Sequence, residues 1–555
     1  MLINSIYPLF KLDSLNGFVV LAIGLFSVLT VIYSLGFMKG KQKLFQYYFY
    51  IILTAITSIG AVLSNNLILL LTFWGFLGLT LYLLINLGDN KSNLAAKKTF
   101  IIVGGSDALM LLGIGIIYYL TGTFQMDKIK IPLSTIDYGL STLAYLCIAI
   151  ACFAKAGAMP FHSWIPDCAE SAPVPVVAYL PASLDKLLGI YLLARISLNL
   201  FVMDSAMNIF LMLMGAFTII AAVMMALVQH NMKRLLGYHA VSQVGYMILG
   251  IGTGNPIGIA GGIFHMLNNS VYKQALFLIS GNVEQKTGTT DLDKLGGLSK
   301  TMPLTYIAAL IASLSISGVP PFNGFVSKWM VYQGVIQNVT KSPSHQVTSI
   351  ICLVAAMFGS GLTLASFMKL IHAAFLGQPT NQRTNEPTNE VSWTMWLPPV
   401  ILAIVCVVFG VFANQIPIKY FILPAVTGVT FMGTWYAGLA SLLIVIGLVL
   451  GIIIFKLKGL RPSLREDKAF VGAEVKDLEG ASVTGTEFYN TIKELGLIRA
   501  LYKKLETGFF DVYEQGKKPV FSISGLLQRL HNGILPTYLV WGLLGMLGLF
   551  FLMNR

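Results

Sequence analysis

CIAIACFAKAGAMPFHSW, residues 147–164, and IASLSISGVPPFNGFVSKW, residues 311–329, decide the fold of this 555-residue chain. Each is an apolar half, a Gly/Pro break, a Pro-Phe pair, then polar residues and an aromatic. Pro160-Phe161-His162-Ser163-Trp164 aligns with Pro321-Phe322-Asn323-Gly324-Phe325. Gly157, Pro160, Pro320 and Pro321 mark the breaks, because proline removes a donor and clashes with the preceding turn. Each stretch carries one lysine, Lys155 or Lys328. A lysine at membrane depth costs at least a few kcal/mol, so it reads first as functional. Paired interrupted helices in corresponding halves point to a transport site.

Working outward, the composition places both stretches in a membrane. The chain is 56% hydrophobic and only 11% charged, where a soluble protein carries about a quarter charged residues. Apolar runs long enough to span a bilayer as helices recur along it, and nothing resembles the short alternating segments of a β-barrel. The net charge of +13 does not imply nucleic acid, since the lysines and arginines sit mainly in short loops. Cys147, Cys152, Cys168, Cys352 and Cys406 form no CxxC pattern, so no iron–sulfur or zinc ligand set is expected on this chain. The opening MLINSIYPLFKLD lacks the order of a cleaved signal peptide.

The expected fold is an all-α polytopic membrane protein of about fourteen spans. They fall near 15–37, 46–64, 66–88, 98–120, 141–172 (broken), 174–198, 207–228, 235–254, 256–281, 303–337 (broken), 347–376, 394–413, 433–455 and 535–553. Loops 38–45, 89–98, 229–235 and 282–302 are lysine-bearing, and the loops opposite them are poorer in positive charge. All four fall on one side, which predicts both termini outside by the positive-inside rule. The organisation expected is an N-terminal helix (1–45), a first half-channel repeat (46–198), a second (207–376), two peripheral helices (394–455), a loop and lateral amphipathic helix (456–534) and a C-terminal anchor (535–555). Five spans per repeat make consecutive copies point opposite ways, an inverted repeat with the broken helix fourth in each. In 486–531 apolar residues recur at helical spacing between basic ones, the pattern of a helix lying in the membrane interface; tethered at both ends, it suits a run along a neighbouring subunit.

The intramembrane titratable residues are the candidate ion path: Asp107, Lys155, Asp185, Lys186, His239, His265, Lys273, Lys328 and Lys369, with His372 beside them. Burial disfavours the ammonium and a nearby carboxylate favours it, so a buried lysine whose partner moves is a proton switch. Histidine suits the relay between such lysines. His265, Asn269 and Lys273 share one helix face, and Asn269 can hold a bridging water. His239, Lys369 and His372 lie nearer helix ends, where snorkelling competes with function.

At these residues the chain resembles the antiporter-like membrane subunits of respiratory complex I, of Mrp-type sodium/proton antiporters and of energy-converting membrane-bound hydrogenases. The resemblance runs from about Asp13 to about His372. It rests on KAGAMPFHSWIPDCAESAPVPVVAYLPAS, KRLLGYHAVSQVGYM, IFHMLNNSVYKQALFLISG and SISGVPPFNGFVSKW. It implies that Lys155 is the central lysine of the first half and Lys328 the exit-side lysine of the second. His265 and Lys273 take the relay positions, Asn269 stands where some relatives have a second histidine, and Asp107 falls where relatives carry an acid. One departure is large: relatives have a Trp-Glu pair on the third span, and this chain has Trp74-Gly75. The Asp185-Lys186 pair on the sixth span is the expected source of a replacement carboxylate. SLDKLLGIYLLAR, the short N-terminus and SGVPPFNGFVSKW lean towards the energy-converting hydrogenase branch.

The leading expectation is therefore an ion-translocating subunit, for protons or sodium, in the cytoplasmic membrane of a prokaryote. Electron transfer in peripheral partner subunits holding iron–sulfur clusters and a nickel–iron centre would drive it, with no cofactor on this chain. An Mrp-type sodium/proton antiporter subunit without redox partners, and a non-conducting scaffold, are the competing readings.

Overall fold

A computed structural model describes residues 9–133, 138–341, 346–377, 389–433, 436–457, 511–531 and 533–553, with a few single residues between 496 and 508. The helices, in chain order, are α1 (Ser14–Phe37), α2 (Leu44–Leu63), α3 (Leu67–Ile85), α4 (Asn90–Thr121), α5 (Tyr138–Ala156), α6 (Trp164–Ser171), α7 (Val174–Tyr179), α8 (Asp185–Arg195) and α9 (Ser205–Leu227). They continue as α10 (Met232–Gly252), α11 (Pro256–Thr287), α12 (Pro303–Ser317), α13 (Asn323–Lys341), α14 (Gln346–Ile371), α15 (Trp393–Val411), α16 (Ala437–Leu457), α17 (Val512–Leu530) and α18 (Leu535–Met553). Among the described residues, ten helical stretches are long and apolar enough to cross a membrane. The protein is thus an all-α polytopic membrane protein, and the described helices overlap the expected spans, with 141–172, 174–198 and 303–337 each divided among more than one element. Two strands of two residues each, β1 (Ile131–Pro132) and β2 (Phe201–Val202), pair in parallel.

Helix starts follow from side chains that accept the first free amides. Asp13, Asn66, Asp89, Asp204, Asn231 and Asn255 cap α1, α3, α4, α9, α10 and α11 in this way. The cap on Asp89 also corrects an expectation. Residues 90–98 are the first turns of α4 rather than a loop, so Lys91, Lys97 and Lys98 stand on a helix. Lysine is a good helix former, and a capped helix need not end where the hydrocarbon does.

The two expected units match in local detail. TGTFQMDK (121–128) and TGTTDLDK (287–294) follow α4 and α11. In each, the threonine hydroxyl accepts from the amide two residues on, a glycine takes positive φ (68° at Gly122, 72° at Gly288), and a 3-10 turn follows. Asn66 bridges to Gln125, and Asn231 bridges to Asp291. Both units close on a π-turn, Ile196–Leu200 and His372–Leu376.

Packing is inside-out relative to a soluble protein. Leu21 is 67% exposed and Ile56 59%, while Lys155, Lys186 and Lys273 are 0% exposed. The segment 174–194 is buried on all sides, as are α10 and α11 over most of their length; these three form the centre of the bundle. The expected loop over 458–485 and most of the amphipathic stretch over 486–510 lie outside the described residues. The described part of that stretch, α17, starts against α4 and exposes Phe521 and Leu526.

Candidate functional site

The first break begins where α5 runs out. Gly157 has φ +78°, and a Cβ there would stand 1.8 Å from Ile165 Cδ1, so only glycine fits the turn. Lys155 is two residues upstream, on the last turn of α5, and its side chain is fully buried. Its Nζ lies 3.5 Å from Asp185 Oδ1, whose side chain is equally buried. That distance is an ion pair slightly longer than a hydrogen bond. Asp185 is delivered by a widened turn: Leu180–Leu184 is a π-turn, a feature common at functional sites. Gly189 lets α8 come this close, because a Cβ there would meet Ala156 N and Cys152 O at 2.8 Å.

Two further groups flank Lys155. Its Nζ stands 5.5 Å from the centre of the Trp74 ring, within cation–π range. Asp107, on α4, faces α3, with Oδ2 3.6 Å from where a Cβ on Gly78 would stand. It is near enough for its charge and that of Lys155 to act on each other. Gly75 is on the outside of the chain with open space around it. A glutamate there would point outward, while the carboxylate that reaches Lys155 comes from α8.

Lys186 faces the other way. Its Nζ donates to Pro181 O at 2.5 Å and to Ala156 O at 3.3 Å. It therefore closes the carbonyl end of α5, as a cation at a helix C-terminus does. Lys328 repeats this device in the second half, donating to Ile316 O at 2.8 Å at the end of α12 with its Nζ 4.6 Å from the Tyr246 ring centre. The second break is tied by Asn323, which donates to Asn268 Oδ1 at 3.0 Å and accepts from Ser315 Oγ. The peptides before Pro160 and Pro321 are both cis.

Between the breaks, His265 contacts Ser327 Oγ through Nδ1 at 2.9 Å and Gln243 Oε1 through Nε2 at 3.1 Å. Lys273 donates to Leu236 O at 2.9 Å. Asn269 is buried between them on α11, and among the described residues its side-chain amide makes no hydrogen bond. His239 and Lys369, placed nearer helix ends, are both buried. His239 Nε2 meets Ser366 Oγ at 2.7 Å, and Lys369 donates to Leu227 O at 2.6 Å and Gln229 O at 2.9 Å. His372 is exposed.

The structure thus brings the nine candidates into one row, eight of them buried and Asp107 half-buried. Lys155 is close enough to act on Asp107 and Asp185, Lys186 on Asp185 and Lys273, Lys328 on His265, and Lys273, Lys328 and Lys369 on His239. Such a row can pass a charge displacement from one break to the other, because each lysine's protonation changes the field at its neighbour. The sequence reading missed Trp74, Gln243, Ser327 and Ser366 as contacts of the row. Only Trp74 carried a signal, as the aromatic of the altered Trp-Glu pair.

The family described as NADH:quinone oxidoreductase/Mrp antiporter, TM matches residues 64–363, a stretch that contains Asp107, both breaks and Lys328. The chain is similar to a Na(+)/H(+) antiporter subunit A1 of Staphylococcus epidermidis, 34% identical over 404 residues. That match covers 70% of this chain and 50% of the relative, so the chain spans about half the length of the curated relative it matches. The fold is that of an archaeal membrane-bound sulfane sulfur reductase chain (TM-score 0.79, 24% identity, 97% of this chain and 89% of that one). It is also that of a chain of the Mrp complex from Dietzia sp. (TM-score 0.67, 22% identity, 75% and 84%).

Proposed function

We propose, from the premise that this chain belongs to the NADH:quinone oxidoreductase/Mrp antiporter transmembrane family, that it is the ion-translocating subunit of a multi-subunit membrane complex exchanging protons against sodium. The observation that carries the reading is the fully buried Lys155–Asp185 pair beside a helix break, continued by a row of buried lysines and histidines to the second break. A purely structural bundle has no use for so many intramembrane charges.

The sodium/proton antiport named for the S. epidermidis relative supports the antiport reading over the redox-driven one that the sequence put first. Each step needs only a proton leaving one lysine while its carboxylate partner turns to another cation. Asp107 and Asp185 supply the oxygens for this, and Lys186 and Lys328 sit where a carbonyl holds the ammonium until the neighbouring field changes. The lysine-rich loop ends support a placement with both termini outside. Other membrane subunits are the expected partners, with α17 as one contact.

The test is sodium-dependent proton movement in everted membrane vesicles carrying the complete complex. Lys328→Ala should reduce transport at least tenfold with the subunit still present in the membrane. Undiminished transport by that variant would falsify conduction through this chain, and proton pumping that needs an electron donor but no sodium would return the redox-driven reading.

A further inference from the structure

We infer that the C-terminal arm walls the vestibule of the first half-channel and that Asp511 is the positioning residue that holds it there and balances the vestibule's charge; this rests on the conducting role proposed above. Asp511 precedes α17, and its carboxylate reaches back more than three hundred residues along the chain. Oδ1 accepts from Ser163 Oγ at 2.6 Å, and Oδ2 accepts from Lys98 Nζ at 2.8 Å. Ser163 is the residue after His162 in the first break. The arm is therefore attached at the break itself.

The attachment extends into the second unit. Lys98 also donates to Asp167 Oδ2 at 2.8 Å, and Asp167 Oδ1 accepts from Arg234 at 3.2 Å at the start of α10. Both side chains of the Lys98–Asp511 pair are only 14% exposed, which sets it apart from surface pairs worth little. Beside it lies a cavity of about 710 Å³ lined by charged side chains, to which α17 contributes Tyr513, Glu514 and Lys517. The lining holds six Lys and Arg against five Asp and Glu. Asp511, at its edge, brings the two to balance. Without that carboxylate the vestibule carries an excess positive charge, which repels the cations a proton or sodium path must admit.

The experiment uses the whole complex and two independent readouts. Hydrogen–deuterium exchange over 512–520 reports whether the arm is docked. The sodium and proton concentrations giving half-maximal transport report the vestibule's charge. Asp511→Asn should speed exchange of those amides at least tenfold and raise the half-saturating cation concentration about threefold, with the maximal rate nearly kept. Asp511→Glu should restore the half-saturating concentration. Should Asp511→Asn fail to accumulate, Ser163→Ala takes its place: it keeps every charge and should speed exchange without moving half-saturation. Wild-type exchange in both variants, or unchanged half-saturation in Asp511→Asn, would overturn the inference. Loss of conduction as the chain's function would appear separately, as normal transport by Lys328→Ala with the exchange result intact.

Discussion

Asp185 places a carboxylate beside Lys155, where the resemblance had left an acid missing from the third span. The two side chains are fully buried and 3.5 Å apart, whereas position 75 faces outward. Returning the acid to its usual place should therefore not help. Gly75→Glu introduced into an Asp185→Asn background is expected to transport no better than Asp185→Asn alone, measured as sodium-dependent proton movement; recovery would mean that position 75 reaches Lys155. The sequence allowed the substitution to be inferred, because an acid missing from one span and an extra Asp beside Lys186 are both visible as letters. It did not reveal that Lys186 turns to the carbonyls of Pro181 and Ala156. A side chain's direction depends on the π-turn before it, and LPASL carries no local signature for that turn.

At the level of elements, the broken helices were legible and the regular ones less so. Glycine and proline punctuate a sequence strongly, so both breaks fall where the spacing put them. The start of α4 was misjudged because hydropathy reports the hydrocarbon boundary, while the helix begins at its Asp89 cap. The repeat in TGTFQMDK and TGTTDLDK was in plain view, but its hydrogen bonds become meaningful only once Asn66 and Asn231 are seen to bridge to it. The break itself makes a prediction. Gly157→Ala combines a positive φ with a Cβ 1.8 Å from Ile165 Cδ1, and should destabilise the protein by at least 1–3 kcal/mol. Gly318 also has positive φ, but the atom its Cβ would meet, at 3.0 Å, is Cδ of the flexible Lys328 side chain. Thermal melting of the detergent-solubilised complex should accordingly fall further for Gly157→Ala than for Gly318→Ala, and the reverse order would count against this account of the first turn.

Across the whole molecule, 174–194, α10 and α11 make the buried centre, and the C-terminal arm returns to Lys98 and Ser163. The arm's attachment has a pH dependence of definite sign. Burial raises the carboxyl of Asp511, but hydrogen bonds from Lys98 and Ser163 and the charge of Lys98 prevail and hold it below the usual carboxylate value. A depressed carboxylate stabilises docking above its unfolded value, about 3.9, and loses that contribution as pH falls through its folded value. Intrinsic-rate-corrected exchange over 512–520 should stay flat from about pH 8 to pH 5 and rise only in stronger acid. A rise near neutrality would assign the docking to some other group. Sequence alone made the arm amphipathic but gave no partner for Asp511, since nothing local links residues so far apart in the chain.

The central claim is that Lys155 and Asp185 act as one switching pair, and a double-mutant cycle on transport tests it most directly. Removing one partner of a buried pair costs about 3–5 kcal/mol, whereas replacing both with apolar residues is often neutral. Membrane abundance of Lys155→Met, Asp185→Leu and the double variant is therefore measured alongside sodium-dependent proton movement. Each single variant should lose nearly all transport, the double variant should lose no more, and abundance should recover in the double. Wild-type transport by Asp185→Leu, or losses that multiply in the double variant, would contradict it.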